Sequence, residues 1–233
     1  MSQPGSGPVV IVDYGLGNLF SLSRALAHVG AAPRVTSDPA LVRDAGRLIL
    51  PGVGAFADGM EGLRRRGLIE PVREVAAAGR PVLGICLGMQ LLFSQSEEFG
   101  LHEGLGIIAG RVAKLAERDH FYGPVKVPHI GWSGLLAPAD CSWDSRIFDR
   151  LFEGDAMYFV HSYVPVPEDA HVTIAEFLHG GRRYCAAVEQ GSVVGFQCHP
   201  EKSADVGLQV LRNFLKRDSR SLIHKPRPAA TPA

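Results

Sequence analysis

"RPVLGICLGMQLLF", residues 80–93, sets one cysteine between two glycines. Pro81 to Ile85 is a β-prone run and the residues after it read as helix, so Gly84-Ile85-Cys86-Leu87-Gly88 falls at a strand-to-helix bend. This is the Gly-x-nucleophile-x-Gly form of a nucleophile elbow. The glycines answer the crowding that a nucleophile's strained backbone imposes on its neighbours. Such a bend lifts Sγ above the carboxyl edge of a sheet and places it at a helix N-terminus, where the dipole and unpaired amides favour a thiolate. Taken alone, the motif also fits a buried structural cysteine that happens to lie between glycines.

Upstream of the elbow, strands and helices alternate. Val9 to Val12 is a continuous apolar run, as a strand covered on both faces requires. Asn18 suits an N-cap, Leu19, Leu22, Leu26 and Val29 recur at helical spacing, and Gly30 stops the helix. A short strand at Arg34 to Thr36, a short helix after Asp38-Pro39 and a third strand at Leu48 to Leu50 follow. Leu63 to Gly79 reads as mostly helical, and Pro81 to Ile85 is the fourth strand. This order predicts an α/β fold: a doubly wound, mostly parallel central sheet with helices on both faces. After about residue 105 the texture becomes β-rich, in "GIIAGRVAKL", "AMYFVHSYVPV", "VTIAEFL" and "YCAAVEQGSVVGFQCHP". These pieces are expected as added antiparallel strands extending the same sheet. "GLQVLRNFLKRD" is a last amphipathic helix. Residues 1–8 read as a flexible N-terminus, 9–217 as a single domain, and the Pro-rich, polar 218–233 as a disordered tail.

Bulk properties exclude several classes. The chain has 233 residues, 46% hydrophobic and 21% charged, with 24 basic and 24 acidic side chains. A formal net charge of zero gives no reason to expect nucleic acid or an anionic membrane as partner. No apolar run approaches the ~20 residues that span a bilayer. "MSQPGSGP" lacks the basic patch and apolar core of a secretory signal. The four cysteines, at 86, 141, 185 and 198, have no CxxC spacing. A reduced, cytoplasmic protein is the expectation.

A cysteine nucleophile needs a base, and "GFQCHPEKS" at 195–203 offers His199 with Glu201 two residues on. In an extended segment these two share a face, and Cys198 points the other way. Glu201 can then fix the imidazole's tautomer and support its charge, as the third member of a triad does. Acyl transfer also needs an oxyanion hole. Leu87 supplies one amide, and the Gly-rich "LPGVGAF" loop after the third strand is the natural second source.

"PGVGAF", "GICLGMQLLF" and "HPEKS", in the order Cys, His, Glu, together resemble the class I (triad) glutamine amidotransferases over roughly residues 9–217. "DYGLGN" at 13–18, "VPHIGW" at 127–132 and "YFVHSY" at 158–163 narrow the likeness to the glutaminase subunits of imidazole glycerol phosphate synthases, of histidine biosynthesis. The resemblance implies hydrolysis of L-glutamine through a γ-glutamyl thioester, without a cofactor or metal. The ammonia would pass to a partner (β/α)₈ cyclase subunit that makes imidazole glycerol phosphate and AICAR. By the same resemblance Cys86, His199 and Glu201 are catalytic, and the Val53 and Leu87 amides form an oxyanion hole. Gly52, Gly54, Gln90, Ser162 and Tyr163 would hold glutamine. Asn18, Trp132, Tyr158 and Lys202 match positions at the partner interface and ammonia exit. Another Cys-His-Glu amidotransferase or a γ-glutamyl hydrolase is the alternative reading.

Two positions depart from that family's pattern: Ser133 where Asn is usual, and Cys198 where Phe is usual. The first touches an expected interface hydrogen bond, and the second is expected to alter packing only. The Gly15-Leu16-Gly17-Asn18-Leu19-Phe20 run is a poor dinucleotide fingerprint, because Phe20 replaces the third glycine. Arg64, Arg65 and Arg66 read as a solvated helix face. Cys185, Cys198, His161 and His199 fit no usual zinc spacing.

Overall fold

Four apolar residues in a row at Val9–Val12 offer water no polar face. In the computed structural model, which describes residues 7–119, 123–139 and 143–217, they form β1, paired on both sides within a sheet. Helix α1 (Leu19–His28) follows, capped by Asn18, whose side-chain oxygen accepts from the Ser21 amide at 3.2 Å. Next come β2 (Arg34–Thr36), α2 (Pro39–Arg43) with Asp38 as its cap, and β3 (Arg47–Leu50). The segment expected to be mostly helical from Leu63 to Gly79 is two helices, α3 (Phe56–Arg65) and α4 (Ile69–Ala77). Gly67, at φ +65°, takes the left-handed conformation that ends the first of them. β4 (Val82–Ile85) is buried throughout. α5 (Leu87–Leu91) lasts five residues before the chain enters β5 (Phe93–Ser96).

The second half adds β6 (His102–Glu103), β7 (Ile108–Lys114), β8 (Arg118–Asp119), β9 (Gly123–Pro124), β10 (His129–Gly134) and β11 (Ala156–His161). β12 (Tyr163–Pro167), β13 (Thr173–His179), β14 (Arg182–Gln190), β15 (Val193–Phe196) and α6 (Ala204–Leu215) complete the order. The central sheet has seven strands, in the order β13-β14-β15-β4-β3-β1-β2. From β15 to β2 all neighbours are parallel, and β14 and β13 add antiparallel at one edge. α1 packs with α6, and α2 with α4. Right-handed crossovers from β1 to β2 and from β2 back to β3 run in opposite directions, which puts α1 and α2 on opposite faces.

One expectation is corrected here. Of the β-rich pieces after residue 105, only β13, β14 and β15 extend the central sheet. β7 and β12 join β5 and β6 in a second, four-stranded sheet, and β10 with β11 makes a separate antiparallel ribbon. The reason is visible in β7, where Ile108 and Val112 are buried while Ala109, Arg111 and Lys114 are exposed. A strand with one wet face cannot lie inside a sheet covered on both sides, whereas β15 is buried at all four positions. The expected tail from Asp218, and most of the expected flexible N-terminus, lie outside the described residues.

Candidate active site

β4 and β15 are parallel neighbours, with Ile85 registered against Phe196. The residues that follow them, Cys86 and Gln197, therefore emerge side by side at the carboxyl edge, although 111 positions separate them in sequence. Cys86 sits at φ +52° and ψ −111°, a conformation that costs a non-glycine residue about 1–3 kcal/mol. Its amide donates to the Phe196 carbonyl at 2.7 Å, which ties the bend to the neighbouring strand. The glycines are required by contact as well as by the motif. A Cβ on Gly84 would lie 2.8 Å from the Met89 backbone, and one on Gly88 would lie 1.8 Å from the Leu50 carbonyl oxygen.

His199 and Glu201 meet as expected, with Nδ1 2.8 Å from Oε1, and their side chains are only 2% and 4% exposed. The way they meet differs from the expectation. His199 is extended, but Pro200–Lys202 forms a 3-10 turn, so Glu201 reaches back across a turn rather than along a strand face. Cys198 does point away, its sulfur 3.5 Å from Met157 Sδ, and burial pushes its thiol well up, which keeps it protonated. Burial opposes a charge on His199. Interaction with Cys86 on one side and hydrogen bonding to Glu201 on the other outweigh it and raise the imidazole to about 10. Among the described residues Nε2 has no partner within ordinary hydrogen-bond limits, so it is the nitrogen left for the sulfur. The site thus holds an imidazolium between a sulfur and a carboxylate.

Leu87 opens α5, and the first amides of a helix have no partner within it. Facing α5 is the Pro51 to Gly54 loop that follows β3. The buried Tyr14 hydroxyl donates to the Pro51 carbonyl at 2.6 Å, and burial keeps that phenol neutral by pushing its titration far upward. Gly52 fits because a Cβ there would lie 2.0 Å from the Tyr14 oxygen and 2.9 Å from Leu87 Cβ. Gly54 takes φ +112°, and Val53 is 38% exposed. Of the three arginines read as a solvated face, Arg64 and Arg65 pair with Glu61 at the surface. Arg66 instead donates from Nη1 to the Tyr14 carbonyl at 2.9 Å and steadies the turn beside this loop.

Gln90, on α5 one turn after Cys86, donates to the Tyr163 carbonyl at 3.0 Å. The Tyr163 carbonyl also accepts from His161 Nδ1 at 2.9 Å, and that of Ser162 accepts from Leu115 at 2.8 Å. Sequence reasoning missed Gln197 and Tyr14, whose contacts depend on strand register and on a loop 37 residues away. Trp132, Tyr158 and Lys202 lie together beside the turn that carries His199 and Glu201. The Trp132 and Tyr158 rings are 6.0 Å apart, and Lys202 Nζ lies 5.9 Å from the Tyr158 ring. The His199 amide donates to the Tyr158 carbonyl at 2.9 Å, so this partly exposed cluster is bonded to the turn that carries His199 and Glu201. Ser133 pairs with His129 through Oγ and Nε2 at 3.1 Å.

His161 proves to be packing. Its ring lies edge-on to Phe177 with centroids 5.4 Å apart, next to His129. Burial lowers His161 to about 3, against the bond to Tyr163, and lowers His129 to about 4, helped by His179. An unfolded histidine titrates near 6.5, so below that pH the unfolded chain binds more protons than the folded one. His199, raised to about 10, works the other way: its contribution is complete below about 6.5 and fades as pH rises toward 10. Stability should therefore peak near neutrality and fall by on the order of 2 kcal/mol at pH 5. Guanidinium unfolding at pH 7 and pH 5 measures this, and equal stability at both would show that neither buried ring resists protonation. A cavity of about 730 Å³, lined by Arg73, Leu105, Ile107, Gly191 and Val193, opens at the amino ends of β4 and β15, away from this chemistry. Among the described residues no group of three or more His, Cys, Asp or Glu could hold a metal ion.

The chain has recognisable counterparts among known proteins. A family model described as glutamine amidotransferase class-I matches residues 10–217. The chain is 50% identical over 207 residues to the imidazole glycerol phosphate synthase subunit HisH of Syntrophotalea carbinolica, covering 88% of this chain and 98% of that one. It is 45% identical over 208 residues to the subunit of the same name from Sulfurimonas denitrificans, with 89% and 97% covered. Among solved structures, PurLQS from Thermotoga maritima aligns with a TM-score of 0.66 at 19% identity, over 90% of this chain and 98% of that one. The last likeness concerns the fold.

Proposed function

The chain belongs to the class I glutamine amidotransferases, and from that membership and the geometry of its triad we propose how it works. It hydrolyses glutamine to glutamate and ammonia as the glutaminase subunit of an imidazole glycerol phosphate synthase, in histidine biosynthesis. Its partner is the cyclase subunit, with which it forms a heterodimer that combines the ammonia with a nucleotide substrate to give imidazole glycerol phosphate and AICAR. Residues 9–217 act as one domain, and the enzyme works in the cytoplasm. Among the described residues no helix is long and apolar enough to cross a membrane.

One observation carries the mechanism: the His199–Glu201 pair, joined at 2.8 Å and nearly solvent-free, stands at the sheet edge that raises Cys86 on its elbow. The Cys86 thiolate adds to the carboxamide carbon of glutamine, and the carbonyl oxygen gains the charge. The amides of Val53 and Leu87 receive that oxyanion, each donor worth about 2.7–4 kcal/mol in the transition state. The carbon–nitrogen bond then breaks as His199 gives its Nε2 proton to the departing nitrogen, leaving ammonia and a thioester. Neutral His199 next takes a proton from water, the hydroxyl adds to the thioester, and the carbon–sulfur bond breaks to restore the sulfur–imidazolium pair. Gly52, Gly54, Gln90, Ser162 and Tyr163 hold the substrate. Asn18, Trp132, Tyr158 and Lys202 face the cyclase, where the ammonia leaves.

Glutamate release with and without the cyclase and its nucleotide substrate tests this reading. Slow release by the subunit alone should rise about 5- to 150-fold in the liganded complex, the range of an ordinary coupling energy. Equal rates in both states would remove the coupling, and no release in either would remove the glutaminase.

A further inference from the structure

The sulfur of Cys86 has a neighbour that the triad does not include. Gln197 is fully buried, and its Nε2 lies 3.7 Å from Cys86 Sγ, within the range of an amide donating to sulfur. Its Oε1 accepts from Gln90 Nε2 at 3.0 Å, and the same Gln90 nitrogen donates to the Tyr163 carbonyl at 3.0 Å. This chain of bonds settles which way each carboxamide points. A backbone carbonyl can only accept, so Gln90 must turn its NH₂ toward Tyr163. The Gln197 atom meeting that NH₂ must then be oxygen, which leaves the Gln197 NH₂ facing the sulfur. Gln90 is left with its own carbonyl oxygen unspent on these partners.

We propose that Gln197 is a catalytic residue of this reaction: its carboxamide donates a hydrogen bond to the Cys86 thiolate, and through Gln90 it turns a free acceptor toward the glutamine substrate. The inference rests on Cys86 being the nucleophile. It adds an uncharged donor to the sulfur, so that the thiolate is held by an amide as well as by the imidazolium. Register explains why the residue is available, since Gln197 follows β15 as Cys86 follows β4. The titratable groups electrostatically coupled to Cys86 are His199, Tyr14 and Cys198, with Glu201 bonded to the His199 ring. Tyr14 and Cys198 stay neutral through burial, so neither adds a pH-dependent charge beside the sulfur.

Two variants of the complex with its cyclase separate this role from packing. Gln197→Leu removes the donor. Gln197→Glu keeps the shape and the acceptor for Gln90 but offers the sulfur an oxygen. In both, alkylation of Cys86 by iodoacetamide at pH 7 should slow about tenfold, equal to 1.36 kcal/mol on the thiolate. At strongly alkaline pH, where the sulfur is ionised without help, the rates should match wild type. The kcat for glutamine hydrolysis should fall with the neutral-pH labelling rate. A folded Gln197→Glu complex that keeps wild-type alkylation and kcat at pH 7 would overturn the proposal and leave Gln197 as packing. A slowing that persists unchanged at alkaline pH would do so as well, since it would report blocked access. A wild-type complex that releases no glutamate would sink the glutaminase reading itself, which is a separate result.

Discussion

Replacing Cys86 by alanine or serine should cut glutamine-dependent synthesis by the complex roughly 10⁴-fold or more while leaving ammonia-dependent synthesis near wild type. The size follows from what is lost. Without the sulfur there is no thioester, and water would have to attack an amide directly, aided only by the oxyanion amides. Serine restores an oxygen of similar reach, but a hydroxyl is not ionised by this site at neutral pH. The scaffold should survive. The elbow's strain belongs to the backbone at φ +52°, and both replacements are L-residues that meet it as cysteine does. The Cys86 amide bond to Phe196 is also kept. Assaying the purified complex with glutamine and, separately, with ammonium at high pH gives both numbers. Loss of both activities in a folded complex would mean that this chain does more than supply ammonia.

The parts of the site that sequence revealed are those whose chemistry is local. Gly84, Cys86 and Gly88 are spaced by the geometry of one bend, and His199 and Glu201 by one turn. Each therefore leaves a short pattern that can be read without knowing what packs nearby. The form of the contact was less legible than its existence. Pro200 suits an extended run and the first position of a 3-10 turn equally, because both accept its fixed φ. Gln197 and Tyr14 were not legible as active-site residues at all. Gln197 lies next to Cys86 only because β15 inserts beside β4 in one register, and Tyr14 reaches Pro51 from the end of β1 to the end of the neighbouring β3. Sheet membership failed for a related reason. β7 has ordinary strand composition, and only its alternating exposure shows that it belongs to a sheet with one wet face.

Glu201→Gln should lower kcat for glutamine hydrolysis by roughly 10³- to 10⁴-fold, with a much smaller change in KM. Glu201 makes its 2.8 Å contact to Nδ1, on the far side of the ring from the sulfur, so the substrate's ground-state contacts stay in place. What changes is the proton. A carboxylate can only accept, which fixes the hydrogen on Nδ1 and leaves Nε2 to exchange its proton with the sulfur, the leaving nitrogen and water. A glutamine amide can present its NH₂ instead and favour the opposite tautomer, in which neutral Nε2 keeps its hydrogen and cannot act as a base. The charge effect adds to this. Glu201 is one of the groups that lift His199 to about 10 against its burial, so its loss lets burial pull the imidazole back down. The variant should then lose the acid needed to expel ammonia at a lower pH than wild type does. Pre-steady-state kinetics distinguish the two steps, because a failed acid slows thioester formation and a failed base slows its hydrolysis. A kcat within tenfold of wild type, at unchanged pH dependence, would show that Glu201 merely supports the turn and that the imidazolium is held by the sulfur alone.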